Sequence, residues 1–455
     1  MNIIVVGAGK VGYIVAERLS RDESNNVMVI EEDRISADKV GKNLNTKLYH
    51  DTGSNPRVLR EAINSHNPDV IISTVTRDED NLFICIMAKS LKPDIKTIAR
   101  IRDRDYIPSN ENEESIAAKL VDDVFTPEIT CASTIATLAT LENAIEYNVI
   151  ESLDMAMATF IVKRHNVNII GKTILDLVDM PSDLAIVSIY RGDDVYTEVE
   201  TFELHLGDKI CVLGSEESVR TFNTIMGVDR IANEFIILGA TAIGVDTAIS
   251  LEQKGKRNIR ILETDPEKCT NTLRSLNHTR IMNGNIVDPH LLANENIGRA
   301  DVLIALGPTD EINLLASLMA RNYGAKKIIS EYSIPDYESI FDFTGIQCSI
   351  GYHRIVSNDI TKKLIPDEES VLQMRYDNET FFSLVINDKS PVAGKRIGDV
   401  KLPPGCRITH IIDEDGIRLP RMDRMFKIGD KVLMFTYMTK LEKIQKMFRA
   451  NISTV

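Results

Sequence analysis

Tryptophan is absent from this 455-residue chain, and aromatic residues make up only 5% of it. Surfaces that stack sugars or single-stranded bases depend on aromatic faces, so neither ligand class is favoured. The six cysteines, Cys85, Cys131, Cys211, Cys269, Cys348 and Cys406, stand far apart and form no CxxC pair. That spacing excludes a zinc ribbon or a dithiol redox motif, and dispersed single thiols suit a reducing cytosol. No apolar run approaches the roughly 20 residues of a membrane helix, so direct membrane insertion is not expected. The opening Met1-Asn2-Ile3-Ile4-Val5-Val6-Gly7 has no basic leader and no small-residue cleavage site, and it reads as a strand. A soluble intracellular protein is the expectation. Positive charge is in deficit, with 53 Lys and Arg against 67 Asp and Glu and a net charge of -14. Phosphate-backbone binding needs a basic face, so nucleic acid is not the expected main partner. Catalytic signatures are missing too: the eight histidines form no HExxH or HxH cluster, and neither a GxSxG elbow nor a GxxxxGK[ST] loop occurs. No catalytic residue and no metal site is expected.

What the chain does contain is itself, twice. Gly7 and Gly12 return as Gly239 and Gly244, Glu31 as Glu263, and Asp78-Glu79 with Asn81 as Asp310-Glu311 with Asn313, all at a shift of 232. Asp105-Tyr106 returns as Asp336-Tyr337 at 231, Gly171-Lys172 as Gly394-Lys395 at 223, and Gly207-Asp208-Lys209 as Gly429-Asp430-Lys431 at 222. One unit of about 225 residues is duplicated, with a deletion of about nine residues in the second copy; the period is too long for a solenoid.

Each unit changes character halfway. Residues 1–128 alternate apolar runs (Ile3–Val6, Val27–Ile30, Val70–Ile72, Thr97–Ile101) with helical patterns such as Val11, Ile14, Val15 and Leu19. That alternation predicts a Rossmann-like doubly wound parallel sheet. Thr126-Pro127-Glu128 reads as a helix start. The stripe Ile135, Leu138, Leu141 and Ile145 then predicts a crossover helix over 127–147 whose apolar face is either core or a dimer seam. Residues 148–228 are β-rich, with strands at Ala185–Tyr190, Val195–Val199 and Lys209–Leu213 and a turn at Gly192-Asp193. The second copy repeats the plan: a Rossmann-like domain over 231–350, a linking helix at about 351–366, and a small β-rich α+β domain over 368–455 with a hairpin at Asp415-Gly416. The fold class is α/β in two tandem units. Asp413-Glu414-Asp415 reads as a solvated turn rather than a working carboxylate pair.

The chemistry concentrates at the first Gly-rich turn. Gly7-Ala8-Gly9-Lys10-Val11-Gly12 is GxGxxG, preceded by an apolar run and followed by a helical pattern. The first Gly allows the tight turn, the second lets backbone approach a pyrophosphate, and the third permits close helix–strand packing. The helix N-terminus adds free N–H donors and a positive dipole end. Glu31 lies 22 residues after Gly9 at the end of the next apolar run. A carboxylate there accepts from ribose hydroxyls and repels a 2′-phosphate, which favours NAD(H) or an adenine nucleotide over NADP. Val75 and Thr76 follow the Val70–Ile72 run, where they line a nicotinamide or ribose position. Arg100 and Arg102 flank Ile101, either as phosphate clamps at the crevice or as a solvated strand edge. Asp78-Glu79-Asp80 suits a helix first turn. In the second copy, Gly239-Ala240-Thr241-Ala242-Ile243-Gly244 places Thr241 at the second Gly position. Glu331 replaces Arg100, and Gly307-Pro308 replaces Val75-Thr76, while Glu263 persists. That site is either empty or holds a less charged, adenosine-type ligand.

A duplicated Rossmann-plus-small-domain chain with this fingerprint resembles the TrkA-like peripheral subunits of Trk-type potassium uptake systems, built from two RCK (regulator of potassium conductance) units. The resemblance covers nearly the whole chain and is carried by the run Gly53-Ser54-Asn55-Pro56-Arg57-Val58-Leu59-Arg60-Glu61-Ala62, by Ile98-Ala99-Arg100-Ile101-Arg102 with Asp105-Tyr106, by Ile170-Gly171-Lys172, and by Val392-Ala393-Gly394-Lys395 with Lys401-Leu402-Pro403-Pro404-Gly405. It implies that Gly7 through Val11, Glu31, Val75, Thr76 and Arg100 contact a dinucleotide, with Asp51 facing it, and that Gly239 through Ile243 and Glu263 do the same in the second copy. It further implies NAD(H), ATP or ADP as ligand, a membrane-embedded Trk-type potassium transporter as partner, a homotetramer with eight RCK units in a ring, and a cytoplasmic location on the inner face of the membrane. An NAD-dependent oxidoreductase of amino-acid dehydrogenase type is the alternative, since such enzymes share the pattern of the first 100 residues; the absent substrate domain weighs against it.

Overall fold

The computed structural model describes residues 1–107, 115–150, 153–255, 257–346, 348–364, 371–374 and 379–448. The first apolar runs become parallel strands because both faces are covered and every strand residue can be hydrophobic. β1 (Asn2–Val6), α1 (Lys10–Ser20), β2 (Asn26–Glu31), α2 (Arg34–Asn43), β3 (Lys47–His50), α3 (Pro56–His66), β4 (Val70–Ser73), α4 (Asp78–Leu91), β5 (Lys96–Arg100), α5 (Ile116–Leu120) and β6 (Asp123–Phe125) form a six-stranded sheet in the order β3-β2-β1-β4-β5-β6. The order reverses between β1 and β4, and α/β folds bind ligands beyond the strand ends at such a switch point. Ile3, Ile4, Val5 and Val6 of β1 are all buried.

α6 (Pro127–Thr140) is shorter than expected. The 127–147 helix stops at Thr140, and Ile145 belongs instead to β7 (Ala144–Ile150), which pairs antiparallel with β8 (Met155–Ile161). Strand pairing supersedes the 3.6-residue period there. Ile135, Leu138, Leu141 and Ile145 are all buried within the chain, so the stripe is core and not a dimer seam.

β9 (Ala185–Arg191), β10 (Asp194–Tyr196) and β11 (Lys209–Gly214) join β7 and β8 in a second sheet, ordered β10-β9-β11-β8-β7 and followed by α7 (Glu216–Met226). β10 ends at Tyr196, three residues before the expected Val199.

The second copy repeats the topology. β12 (Glu234–Leu238), α8 (Ala242–Gln253), β13 (Asn258–Glu263), α9 (Pro266–Thr272), β14 (Arg280–Asn283), α10 (Pro289–Asn294), β15 (Val302–Ala305), α11 (Asp310–Asn322), β16 (Lys327–Tyr332), α12 (Tyr337–Phe343) and β17 (Cys348–Gly351) give the sheet order β14-β13-β12-β15-β16-β17. α13 (Tyr352–Leu364) follows. The expected helix end at 366 and the start of the last domain at 368 fall outside the described residues. β18 (Val371–Gln373), β19 (Glu379–Val385), β20 (Arg407–Asp413), β21 (Gly416–Arg418) and β22 (Lys431–Tyr437) form the fourth sheet, with α14 (Met438–Phe448) after it. The Asp413 carboxylate is not merely solvated: it pairs with Arg424 at 2.9 Å.

The compact units cut across the repeat. One comprises Met1–Cys131 with Tyr352–Lys363, and the other Ala132–Gly351 with Leu364–Val455. Within the first, Lys96 at the start of β5 donates its ammonium to the Lys363 carbonyl at the end of α13 (2.6 Å). Within the second, Lys327, the counterpart of Lys96, donates to the carbonyls of Leu138, Leu141 and Ala144 at 2.6–2.7 Å. Burial pushes the Lys327 ammonium down to about 8. A cation at a helix C-terminus satisfies carbonyls that lack an intrahelical donor. The second unit also holds an apolar core shared by the two small sheets, with Met157, Val187 and Leu213 from one and Phe381, Leu433 and Phe435 from the other.

Candidate nucleotide-binding crevice

A cavity of about 600 Å³ opens at the switch point of the first sheet, lined by Gly7, Gly9, Lys10, Glu31, Val75, Thr76 and Arg100 together with neighbouring polar residues. Small-ligand sites span this size range. Gly7 sits at φ +87°, a left-handed conformation that suits glycine, and a Cβ there would come within 3.1 Å of Val75. A Cβ on Gly12 would collide with the Gly7 carbonyl and the Thr74 hydroxyl, so the third glycine lets α1 start hard against the turn. A Cβ on Gly9, by contrast, would meet nothing within 4 Å. The backbone there faces open cavity. Gly9 is also the N-cap of α1 and supplies no side-chain acceptor, so the helix start keeps its donors for an anion.

Glu31 is buried, and its two oxygens accept the amides of Ala8 and of Asp33, the latter at 2.7 Å. The carboxylate pins the Gly-rich turn to the end of β2 and retains lone pairs for a ribose. Thr74 Oγ1 donates to the carbonyls of Val6 and Gly7 at 3.1 and 3.0 Å, fixing the turn from below. Ala8 and Val11 have buried side chains, and neither they nor Gly12 line the cavity.

Arg100 departs from the free phosphate clamp expected of it. Its guanidinium is paired with Glu128 of α6, and the two side chains are only 13% and 7% exposed. Tyr352 of α13 donates its hydroxyl to the same carboxylate at 2.8 Å. Burial opposes the charge on Arg100, but the adjacent Glu128 outweighs it and raises the guanidinium pKa further. Burial and Glu128 likewise raise the Tyr352 hydroxyl. Arg100 Nε and Glu128 Oε2 are buried without a hydrogen-bond partner. Lys10 lies 5.0 Å from the centroid of the Tyr352 ring. Arg102, also in the cavity wall, lies beyond β5 with its Nε 3.4 Å from Asp78.

Three features escape sequence reasoning. The Asn81 amide accepts from Ser73 Oγ and Val75 N, both at 2.8 Å, and donates to the Arg100 carbonyl at 3.0 Å, joining the ends of β4 and β5. Its recurrence as Asn313 is the one signal that marks it. Asp33 and Ser36 at the start of α2 line the cavity, and nothing in their spacing announces it; Asp51, which the resemblance places facing the ligand, lines it with Thr52 and Ser54. Asp51 Oδ1 accepts from Thr52 N at 2.8 Å.

The second copy has the same scaffold and a different mouth. Glu263 accepts the amides of Ala240 and Asp265 at 2.7 and 2.9 Å, as Glu31 does those of Ala8 and Asp33. Gly239 retains a positive φ of +112°. Thr241 occupies the Gly9 position: its hydroxyl accepts from Gly244 N at 3.2 Å and donates to the Leu306 carbonyl at 3.1 Å. The helix start is thus capped by its own side chain. Ala242 and Ile243 continue into α8, with Ile243 buried. Glu331, in place of Arg100, is buried and accepts from Ser333 Oγ at 2.8 Å. A carboxylate there repels phosphate. Among the described residues no group of three or more His, Cys, Asp and Glu is placed to hold a metal ion, and no described helix is long and apolar enough to cross a membrane.

A doubly wound sheet with a Gly-rich turn at its switch point, duplicated and followed each time by a small antiparallel sheet, defines a tandem dinucleotide-fold protein. The chain belongs to the TrkA-N domain family, whose model matches residues 3–127 and again 235–351; the TrkA-C domain model matches 381–449. The Trk system potassium uptake protein TrkA homolog 1 of Methanosarcina mazei is 26% identical over 459 residues, covering 99% of this chain and 100% of that protein. The Archaeoglobus fulgidus TrkA homolog is 27% identical over 449 residues, covering 99% and 100%. Among solved structures, the GsuK RCK domain superposes with a TM-score of 0.64 at 17% identity, covering 98% of this chain and 94% of that one. A structure described as the GsuK channel bound to NAD gives 0.63 at 16% identity, covering 98% and 78%. The resemblance read from the motifs is thus upheld at the level of family and fold.

Proposed function

We propose that this protein is a cytoplasmic regulatory subunit that binds NAD(H) or an adenine nucleotide in its first-half crevice and so gates a membrane-embedded Trk-type potassium transporter. The observation that carries the reading is the contrast between Gly9, open to the cavity, and Thr241, which caps its own helix. A ligand that distinguishes the halves in this way can bias one unit against the other. Gly7, Gly9 and Lys10 would hold the phosphates, Glu31 the adenosine ribose, and Val75 with Thr76 the far ribose or nicotinamide. The ligand supplies charge and binding energy and undergoes no chemical step. Full-length similarity to proteins named for Trk potassium uptake supports the transporter as partner.

A homo-oligomer, a tetramer whose eight units close a ring, belongs to the same reading. Phe83 and Ile86 on α4 and Leu315 on α11, the counterpart of Phe83, are 50%, 40% and 48% exposed. Exposed apolar faces repeated in both halves suit assembly. The chain's mass is 50.9 kDa, and a solution mass of that size alone at micromolar concentration would refute the ring.

The deciding experiment is potassium flux through reconstituted transporter with this subunit added, in NADH, NAD, ATP, ADP and no nucleotide. Flux that differs between nucleotides is expected; identical flux in every condition would overturn the gating role. Calorimetry with NADH and NADPH tests the Glu31 assignment, and equal affinities would sink it. Turnover of NADH with 2-keto acids would point instead to the oxidoreductase alternative.

A further inference from the structure

We infer that the N-terminal edge of the second parallel sheet carries a binding site for a compact phosphate polyanion. A cavity of about 830 Å³ opens there, at the opposite end of the strands from any nucleotide crevice, and Arg230, Arg260, Arg280, Arg299 and Lys326 line it together with His278. Only two carboxylates, Glu234 and Glu295, share the lining. In a chain with a net charge of -14, five cations converging on one concavity repel one another, and a low-dielectric wall focuses their field on whatever anion enters.

Part of that charge is already matched. Arg230 and Lys326 share Asp301 Oδ1 at 3.6 and 3.2 Å, and Arg260 Nη1 reaches the Glu295 carbonyl at 2.9 Å and its carboxylate at 3.4 Å. Arg280 and Arg299 are exposed, and their guanidinium groups make no ion pair or hydrogen bond among the described residues. Two guanidinium forks therefore remain for a ligand, and their planar donor pairs match phosphate oxygens bidentately.

The first copy carries little of this charge at the corresponding positions. Arg260 pairs with Ile236 and Arg280 in register, where the first copy has Met28 paired with Ile4 and Lys47. Met28 is a buried core residue. Arg299 and Lys326 stand at the positions of Asn67 and Ile95, and Arg230 precedes the repeat and has no counterpart. Of these positions only Lys47 is basic in the first copy. The same strand position thus serves packing in one half and charge in the other.

The lining also selects size. Ile259 is its one apolar residue besides the stems of the basic side chains, so no face is offered to a base or an acyl chain. The ligand is headgroup-sized, with two or more phosphate charges: a free polyphosphate or the phosphate monoester of an anionic lipid.

The test uses the full chain and its Arg280→Glu/Arg299→Glu double variant. Tripolyphosphate binding is followed by calorimetry, and co-sedimentation with phosphatidylcholine vesicles is measured with and without phosphatidic acid. Tripolyphosphate binding weakened roughly tenfold or more in the double variant assigns a free polyanion. Co-sedimentation that requires phosphatidic acid and is lost in the variant, without tripolyphosphate binding, assigns the lipid headgroup. Binding of neither probe, or equal binding by both proteins, overturns the site. The measurements are repeated with saturating NADH to fill the first crevice, which should leave binding at the sheet edge unchanged; if NADH abolishes it, the anion sits in the first crevice and the inference fails. Because both arginines are exposed and unpaired, the melting temperature should hold. Should the double charge reversal unfold the chain, Arg299→Gln must weaken binding in the same direction.

Discussion

The Tyr352 hydroxyl stands 2.8 Å from the Glu128 carboxylate, although 224 positions separate the two residues. Glu128 also holds Arg100, so a residue from the second copy completes a buried charge cluster at the edge of the first crevice. An anionic ligand that reached Arg100 would compete with Glu128, whose other partner is Tyr352 at the start of α13. Ligand-driven shifts need such a difference in contacts between states.

Glu128→Gln should lower the melting temperature, because it leaves the buried Arg100 without its counter-charge; removing one partner of a buried pair costs about 3 kcal/mol. The freed guanidinium should then welcome phosphate. Differential scanning fluorimetry with and without NADH or ADP should show larger ligand stabilisation in the variant than in the parent. Equal stabilisation in both would mean that the ligand does not reach Arg100.

Gly9 and Gly12 of the first turn, and Thr241 at the Gly9 position of the second, should separate by role. Gly9→Ala adds a Cβ into open cavity at an ordinary backbone conformation (φ -61°, ψ -166°), so folding should change by less than about 0.5 kcal/mol while nucleotide affinity falls. Gly12→Ala drives a Cβ into the Gly7 carbonyl, and the melting temperature should drop severely. Thr241→Ala removes an N-cap and should cost about 1 kcal/mol, with no effect on binding to the first half. Calorimetry paired with thermal unfolding on all three variants checks the order.

Much of this was legible beforehand because the signals are local. The Gly7–Gly12 turn, the acid at Glu31 and the 232-residue shift each depend on neighbours in sequence, and parallel strands buried on both faces announce themselves as continuous apolar runs. Arg100 shows where legibility stops. Its place at the end of β5 follows from alternation, but its pairing with Glu128 and Tyr352 depends on where α6 and α13 pack, which no spacing encodes. The stripe through Ile145 failed for a related reason: a helical period carried into residues that antiparallel pairing with β8 claims. The basic cavity was invisible because Arg230, Arg260, Arg280 and Arg299 come from separate segments that only the sheet edge brings together.

Lys327→Met should be costly out of proportion to a single side chain. The ammonium serves three carbonyls at the end of α6 and the start of β7. Methionine keeps the apolar stem but removes that donor and leaves the Leu138 and Leu141 carbonyls only their 3.2 Å bonds from the Leu141 and Ala144 amides, a loss of roughly 1–3 kcal/mol. The urea midpoint of the variant should fall accordingly; a midpoint unchanged from the parent would show that water replaces the ammonium freely.

The core shared by the two small sheets contains a carboxyl that should make stability fall as pH rises. Glu379, the first residue of β19, is 2% exposed, and Tyr190 of β9 donates its hydroxyl to it at 2.5 Å. Burial pushes the Glu379 carboxyl up to about 7, against the pull of the Tyr190 hydrogen bond and with a further push from Glu146. Cys211 and Tyr437 are the other titratable groups whose ionisation it feels among the described residues, and burial raises both. An exposed glutamate titrates near 4.3, so the folded chain binds this proton more tightly than the unfolded one. The contribution is therefore full below about 4.3 and is lost as pH rises through about 7, for a total of roughly 4 kcal/mol. Glu379→Gln keeps the hydrogen-bond shape without the charge. Melting temperatures of parent and variant should lie close at pH 5 and diverge toward pH 8.5, with the glutamine protein the more stable there. Parallel curves across that range would mean that Glu379 ionises in the fold as it does in water, and the two small sheets would then have no proton between them.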